Sequence, residues 1–559
     1  MSGTEDYLHE EALAYNPPSG AVYDPNHDGG LTQSLGVHEH WNNPVDKQYS
    51  RNLGTGEGIE LVSPSESVTE NSPVYNVTQD KRYNYIQYAI IAASPFDRIV
   101  VSPGTYNENI DFAGKQLTLS SSDPNDPAIV ADTIIKGSGN AVTFADDEDA
   151  NSVITGFTIT NANTGIYCSD TSPTISKCII TGNRQYGIEL HGKANPTITY
   201  CDISCNQGSA ISIPEGTRLS LSMPSIDHCI MASNRLHGIY CDVPLIANCT
   251  IAANGRSGVA GKYPRINNSI VYYNSRDAGD VQIESSSPIV TYSDVQGGWT
   301  GTGNMSQDPC FAEVGFWDVN GTPEDISDDT WSAGDYHLLS QAGRWIPPHP
   351  SGTDPNIQVS GGWMTDEVTS PCIDAGDPNM DCINELWPHG KRINMGAYGR
   401  STQASLSLSD AGDIRDLNND DTVTWDDVLL LSAKWDCNDA PQKEDLNLDG
   451  IVDTNDLEFF GGNWQEDADN TAPQFDTVEN REVTAGAPLT FSAAASDTDG
   501  DDLVYTAAGL PDGALFAAQQ FTWTPEDEGI YNITFIASDN KSLTFTTIQV
   551  TVSPAEQNE

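Results

Sequence analysis

Between residues 153 and 274, apolar and polar side chains alternate in short runs, and the runs recur on one plan. Its first full copy reads Pro173-Thr-Ile175-Ser-Lys-Cys178-Ile-Ile180-Thr-Gly-Asn183. It returns from Pro196 to Asn206, Pro224 to Asn234, Pro244 to Asn254 and Pro264 to Asn274, with an earlier copy at Val153 to Asn161. Counted from Asn161, the Asn positions lie 20 to 28 residues apart. Alternation of period two predicts short strands. With no helical pattern between them, a period near 20 predicts a stacked β-solenoid. Each Ile is expected on the Ile of the next coil, and each Asn amide to satisfy turn backbone.

This repeat resembles the right-handed parallel β-helix, the pectin-lyase-like fold. Tyr85-Ile-Gln-Tyr-Ala-Ile-Ile-Ala-Ala-Ser and Asp97-Arg-Ile-Val-Val-Ser-Pro-Gly-Thr-Tyr106 match the start of that fold. The resemblance implies a short amphipathic helix capping the open core, since a bare solenoid end invites edge pairing. Ser370-Pro-Cys-Ile-Asp-Ala-Gly376 and Arg392-Ile-Asn-Met-Gly-Ala-Tyr398 resemble the closing segment of secreted bacterial β-helix proteins of planctomycete type. Residues 73–400 are therefore read as solenoid plus C-terminal cap, and 401–412 as a linker. Residues 1–72 carry little regular pattern and are read as an extended arm or the remnant of a larger domain. His38 and His40 flank Glu39 there with no third metal ligand nearby, so they are read as structural.

Two twelve-residue loops carry the clearest chemistry. Asp416, Asn418, Asp420, Thr422, Thr424 and Asp427 fall at positions 1, 3, 5, 7, 9 and 12 of the first. Asp445, Asn447, Asp449, Ile451, Asp453 and Asp456 do so in the second. Position 7 lends a backbone carbonyl and the others side-chain oxygens, the spacing that wraps a calcium ion. Apolar stretches Val428–Leu431 and Leu457–Phe460 predict a helix after each loop. The offset of the loops, the Asp at position 12 and the trailing Trp435 and Trp464 resemble a type I dockerin over residues 413–466. That implies two calcium ions and a cohesin-like partner in a secreted, often polysaccharide-degrading, system. Asp421 stands where Gly is usual, and Trp425-Asp426 against Thr454-Asn455 does not fit dual-mode docking. The module is expected to melt by itself when calcium is chelated.

After a linker at 467–471, alternating runs such as Phe521-Thr-Trp-Thr and Thr546-Thr-Ile-Gln-Val-Thr-Val are separated by Gly and Pro turns. Residues 472–555 thus resemble an immunoglobulin-like sandwich of the cadherin-like or putative-Ig bacterial type. Asp497-Thr-Asp499-Gly-Asp501-Asp502 fits either a further calcium site or a solvated hairpin turn. The fold class is mainly β: solenoid, small α-helical paired-loop module, sandwich.

The chain's 559 residues hold 25 basic against 80 acidic side chains, a net charge of −55. No basic face competes for nucleic acid. No apolar run reaches membrane-spanning length, and the N-terminus is not a signal peptide. Calcium modules suit an extracellular or cell-surface setting, with the leader removed or upstream. Of the 11 cysteines, Cys178, Cys201, Cys229 and Cys249 share one column of the repeat. They are read as buried thiols, although bridges between neighbouring coils are geometrically open. Cys310, Cys372 and Cys382, in loops, are the better candidates for pairing.

The strand after each Asn turn gives a column of outward side chains: Thr143, Tyr167, Glu189, Ser212, Tyr240 and Ala260. Adjoining turns add Asp170, His191, Lys193, Glu215, Arg218 and Asp242, with Asp146–Asp149 one coil earlier. Tyr167, Glu189 and Tyr240 are the candidate glycan contacts, because rings and a carboxylate on one face stack and hydrogen-bond sugars. A hydrolase would pair Glu189 with Asp170 or Asp242. A lyase would set Lys193 or His191 beside calcium at 146–149. The Asn-Thr-Asp, Asp-Asp, Gly-His-Gly and Arg-Ile-Lys set of polygalacturonases is absent. Two readings stay open: a β-helix that binds or acts on extracellular polysaccharide, or a non-catalytic surface or matrix protein. The second would be self-associating, with its module docked on an Ig-like domain of its own or a neighbouring chain.

Overall fold

A computed structural model describes residues 69–554, apart from 214–222, 275–280, 319, 321–329, 348–361, 410, 419, 421, 438–441, 448 and 462–469. His38, Glu39, His40, Glu215, Arg218, Asp421 and Trp464 lie outside the described residues. The chain is mainly β, built on a solenoid of about eight turns whose coils contribute to three parallel sheets of 11, 9 and 8 strands. Only the first sheet has an antiparallel start, where Val74–Asn76 pairs with Lys81–Tyr83 and with Arg98–Val101. Inward Ile154, Ile175, Ile198, Ile226, Ile246 and Ile266 stack in register along this sheet. All are buried in one continuous core, where each side chain contributes about 2–3 kcal/mol.

The Asn ladder fixes the second corner of each coil. The N–H of Asn206 donates to Asn234 Oδ1 at 3.1 Å, and its side-chain amide donates to the same oxygen at 3.0 Å and to Ile180 O at 3.0 Å. The same pattern links Asn183 to Asn206, Asn234 to Asn254, and Asn254 to Asn274. The residue before each ladder Asn (Gly182, Cys205, Ser233, Ala253, Tyr273) has a positive φ of 54 to 65°. Asn161 does not begin the ladder: it occupies this left-handed corner at φ 63°, and Ala162 takes the ladder place, its N–H donating to Asn183 Oδ1. Asn suits either position, because it tolerates left-handed backbone as well as bonding along the stack.

The helix Ile86–Ala92 covers the first coil as expected. Seven residues make too few internal bonds to stand alone, and side chains from the coil below clamp both ends. Glu108 accepts the N–H groups of Ile86 and Gln87 at 3.0 and 2.9 Å, while Lys115 donates to the carbonyls of Ile90, Ile91 and Ala93. Both charges complement the helix dipole. Gln87 exchanges two hydrogen bonds with the backbone of Asp111, extending the third sheet's edge with a side-chain amide.

The C-terminal cap departs from expectation. The last coil runs through Ile283–Ser285, Ile289–Thr291 and Asp294–Val295. The chain then folds back along the outer face of the second sheet, where Phe311, Tyr336, Leu338, Cys372 and Met395 pack on Ala232, Ala252 and Ile270. An earlier coil presents Thr158 and Thr160 on that face, which turns apolar at Ala232, Ala252 and Ile270 under the cap. Residues 401–408 are not a linker. Ala404 and Leu406 are buried, Leu406 N–H donates to Gly343 O, and the Ser405 and Ser340 hydroxyls donate to Leu338 O and Leu406 O. Cys310, Cys372 and Cys382 do not pair; all 11 cysteines are free thiols. Cys372 instead approaches Asp294 at 3.3 Å. Within the repeat column, Cys229 Sγ accepts the N–H of Cys201, and Ser269 and Ser293 hydroxyls continue that role.

Beyond the cap, the helices Trp425–Ala433 and Thr454–Gly461 each follow a loop, and two sheets of four and three strands form the Ig-like region. These are not independent units. Ile533 and Phe535 fill the sandwich core, while Ile536 faces the other way. With Ala508, it is buried among Leu417, Val428, Leu431, Leu457 and Phe460 of the module. The module's core is completed by the Ig-like region, so coupled melting is expected in place of a module that melts by itself. Among the described residues, no helix is long and apolar enough to cross a membrane.

Two outcomes test this account. Asn234→Ala removes the acceptor of two buried donors on Asn206 and is expected to cost roughly 3 kcal/mol in the solenoid's urea unfolding. An unchanged midpoint would remove the ladder's energetic role. Burial pushes the carboxyl of Glu385 up to about 8, against two backbone N–H donors. The folded state therefore holds this proton over a pH range where the unfolded chain has lost it. Stability should fall as pH rises from the ordinary Glu range to about 8. Glu385→Gln is expected to flatten that fall in thermal melts taken across the range.

Candidate functional site

The outward column of the third sheet is in register as the alternation requires. Thr143, Tyr167, Glu189, Ser212, Tyr240 and Ala260 pair coil to coil. The column continues to Glu284, paired with Ala260. Glu284 was illegible because the repeat loses its Asn and its period after 274; the signal left was the alternation Gln282-Ile283-Glu284. Ser212 and Ala260 are sunk between taller neighbours and buried, so the accessible groups are Thr143, Tyr167, Glu189, Tyr240 and Glu284.

Glu189 is held rather than free. Thr164 Oγ1 donates to its Oε2 at 2.9 Å, and His191 Nε2 lies 2.8 Å from its Oε1. The His191 ring packs against Tyr167 with centroids 5.0 Å apart. Further along, His237 stacks on Tyr240 at 5.4 Å, and burial followed by nearby Arg256 holds its imidazole below the ordinary range. Ser257 Oγ donates to Glu284 Oε2 as Thr164 does to Glu189, so the arrangement recurs down the face. A carboxylate braced at both oxygens beside a ring suits binding hydroxyls while a sugar face stacks.

The carboxylates considered as partners of Glu189 each make a contact of their own. Asp170 sits at a left-handed corner, φ 57°, and its carboxylate accepts the N–H of Lys193 at 2.9 Å. Asp242 pairs with Lys262 at 2.5 Å, two coils beyond Glu189. In the acidic turn, Glu148 is buried and accepts the N–H groups of Gly114 and Asp146, and Asp149 accepts from Gln116 and Asn151. These carboxylates secure turns instead of facing Lys193 or His191.

The two loops are wound alike. Asp416 Oδ1 accepts the N–H of Asp420 and Asp445 Oδ1 that of Asp449; Asp427 and Asp456 each reach back to the third loop residue. Thr424 caps the helix that follows the first loop. Burial, then the neighbouring Asp456 and Asp449, raises the carboxyl of Asp445. Burial and nearby Asp416 act likewise on Asp427. Gly450 takes φ 96° at the sixth position, the sharp turn such a loop needs. Crowded like charges around a tight turn fit a hard cation, which would relieve them. Among the described residues, however, no three His, Cys, Asp or Glu side chains are gathered as a metal group. In the Ig-like region, Asp497 Oδ1 accepts the N–H groups of Asp499, Gly500 and Asp501, and Asp501 pairs with Lys541, as a closed turn does.

The "Right handed beta helix region" family matches residues 108–242 and 149–310, and the "Putative Ig domain" family matches 472–554. No curated protein matches the chain. Among solved structures, it is similar to a putative alpha-galactosidase from Bacteroides fragilis NCTC 9343 (14% identity, 14% of this chain and 17% of that one, TM-score 0.14). It is similar to an endo-fucoidan hydrolase from glycoside hydrolase family 107 (18% identity, 17% and 15%, TM-score 0.15). A chimeric titin Z1Z2 is similar over 15% of this chain and 98% of its own (16% identity, TM-score 0.13). TM-scores of that size identify no shared fold, and the chain spans less than a fifth of the first two.

Proposed function

We propose that this is a secreted or cell-surface modular protein whose solenoid binds extracellular polysaccharide along the third sheet. The observation that carries the reading is the column of Tyr167, Glu189 and Tyr240, with Glu189 braced by Thr164 and His191. Binding is favoured over cleavage, because Asp170 and Asp242 are committed elsewhere and hydrolysis needs two carboxylates across one bond. The fold itself carries no function.

In this reading the paired loops hold two calcium ions, with Asp416, Asn418, Asp420, Thr424 and Asp427 in the first. Asp445, Asn447, Asp449, Asp453 and Asp456 serve the second, and position 7 of each loop gives a carbonyl. The dockerin-like module then attaches the solenoid, to a cohesin-like protein or through Ig-like contacts. The shared core with Ile536 and Ala508 supports the Ig-like partner within the chain. That same packing favours a second reading, a non-catalytic assembly protein; filaments seen by electron microscopy without glycan binding would select it.

Glycan-array binding in calcium is expected for the wild type and lost in both Glu189→Ala and Tyr240→Ala. Binding retained in both variants would move the site off this face. Chelation with EDTA is expected to lower the melting of residues 413–554 as one transition. An Ig-like transition that stays in place would separate the two halves.

A further inference from the structure

One aromatic side chain is held outside the core on strained backbone. Phe96, in the turn that leads into Arg98–Val101, takes φ 67°, a left-handed conformation rare for a bulky residue, and is 67% exposed. A buried carboxylate fixes this turn. Asp97 accepts the N–H of Ser94 and the side-chain amides of Asn76 and Gln79, while the N–H of Phe96 donates to Gln116 O. Strain of this kind persists only where the surroundings over-determine it. Here the result is a rigid ring presented to solvent, the form of an interface anchor.

The first sheet, whose edge Phe96 borders, has an outer face nearly free of carboxylates. Over the nine strands from Arg98–Val101 to Ile289–Thr291, the outward positions carry one, Asp227, against Arg98 and Arg265. In a chain of net charge −55, two copies can meet on such a face without like-charge repulsion. Its far end turns apolar, with Met223, Leu245, Tyr263 and Ile289 exposed. There a groove of about 390 Å³ is lined by Leu245, Arg265 and Ile289 of the sheet and by Met380 and Arg400 of the cap. Asn248 also lines it, from the left-handed corner shared with Tyr200 and His228. An apolar space of about 150 Å³ already accommodates a benzene ring.

Phe96 and Leu245 lie six strands apart, about 29 Å at the ordinary strand spacing, so the ring does not reach the groove of its own chain. We infer that two copies pack first sheet on first sheet, about a two-fold axis near Thr174–Ser176, midway between ring and groove. Each copy's Phe96 enters the other's groove. The same axis sets Arg98 beside Asp227, and Arg265 against the hairpin that carries the exposed Asp80. Both charge pairs occur twice, once in each direction. The dimer uses no third-sheet residue and stands apart from the glycan reading.

The test is sedimentation of the full chain in calcium over a range of concentrations. A monomer–dimer equilibrium of the 60.2 kDa chain is expected. Phe96→Gly removes the ring and suits left-handed backbone, so it should weaken the dimer roughly tenfold while the melting temperature holds or rises. Leu245→Arg should weaken it likewise. Mixing these two variants should give a heterodimer tighter than either variant's own dimer, because one ring and one groove remain matched. A wild type that stays monomeric at every concentration overturns the inference and leaves the groove to another occupant. A dimer that ignores both substitutions overturns it too, as does assembly that continues past two chains.

Discussion

The architecture depends on one interaction, the handing of a hydrogen bond from each Asn amide to the next along the second corner. A coil of about twenty residues must turn sharply, and each turn strands backbone groups away from water. The ladder resolves this by letting Asn183, Asn206, Asn234, Asn254 and Asn274 each serve two coils at once. Corners of left-handed backbone before every ladder residue then set the angle between the second and third sheets. The outward column with Glu189, and the corner carrying Tyr200, His228 and Asn248, inherit their spacing from this stack.

Much of this was legible because a solenoid repeats its constraints. The inward Ile of each coil, the Asn and the outward column all follow from period-two alternation repeated on a longer period, and each copy checks the others. What failed was non-repetitive. Ala404 and Leu406 alternate with serines too briefly to distinguish a buried segment from a polar linker. The cap's return along the second sheet rests on contacts between Phe311 or Met395 and residues far earlier in the chain, which no local pattern encodes. The joint core of module and Ig-like region is the same case, since Ile536 reads as one more strand residue until its neighbours are known.

The site divides along the same line. Which side chains share the third-sheet face could be read from the chain, but not what each carboxylate was already doing. Asp170 and Glu148 are acidic residues beside the column, and both are spent on backbone N–H groups of adjacent turns. The groove on the first sheet was beyond reach for a further reason: Met380 and Arg400, which close it, come from the returning cap.

The glycines beside the ladder explain how such a stack knows where to stop. At Gly165, Gly187, Gly238 and Gly258 a side chain would collide with the Ile or Val and the Asn amide of the coil that follows. At the equivalent place in the last repeat stands Gln282, whose Oε1 accepts both donors of Asn274 and whose amide passes on to Gln296. Its side chain fills the slot a further Asn would claim. Gln282 is thus a terminator as much as a final rung: a duplication inserted after it would arrive with no seat for its amide. The stack ends where the small Gly or Ala that holds this place in each coil from Ala141 onward gives way to glutamine.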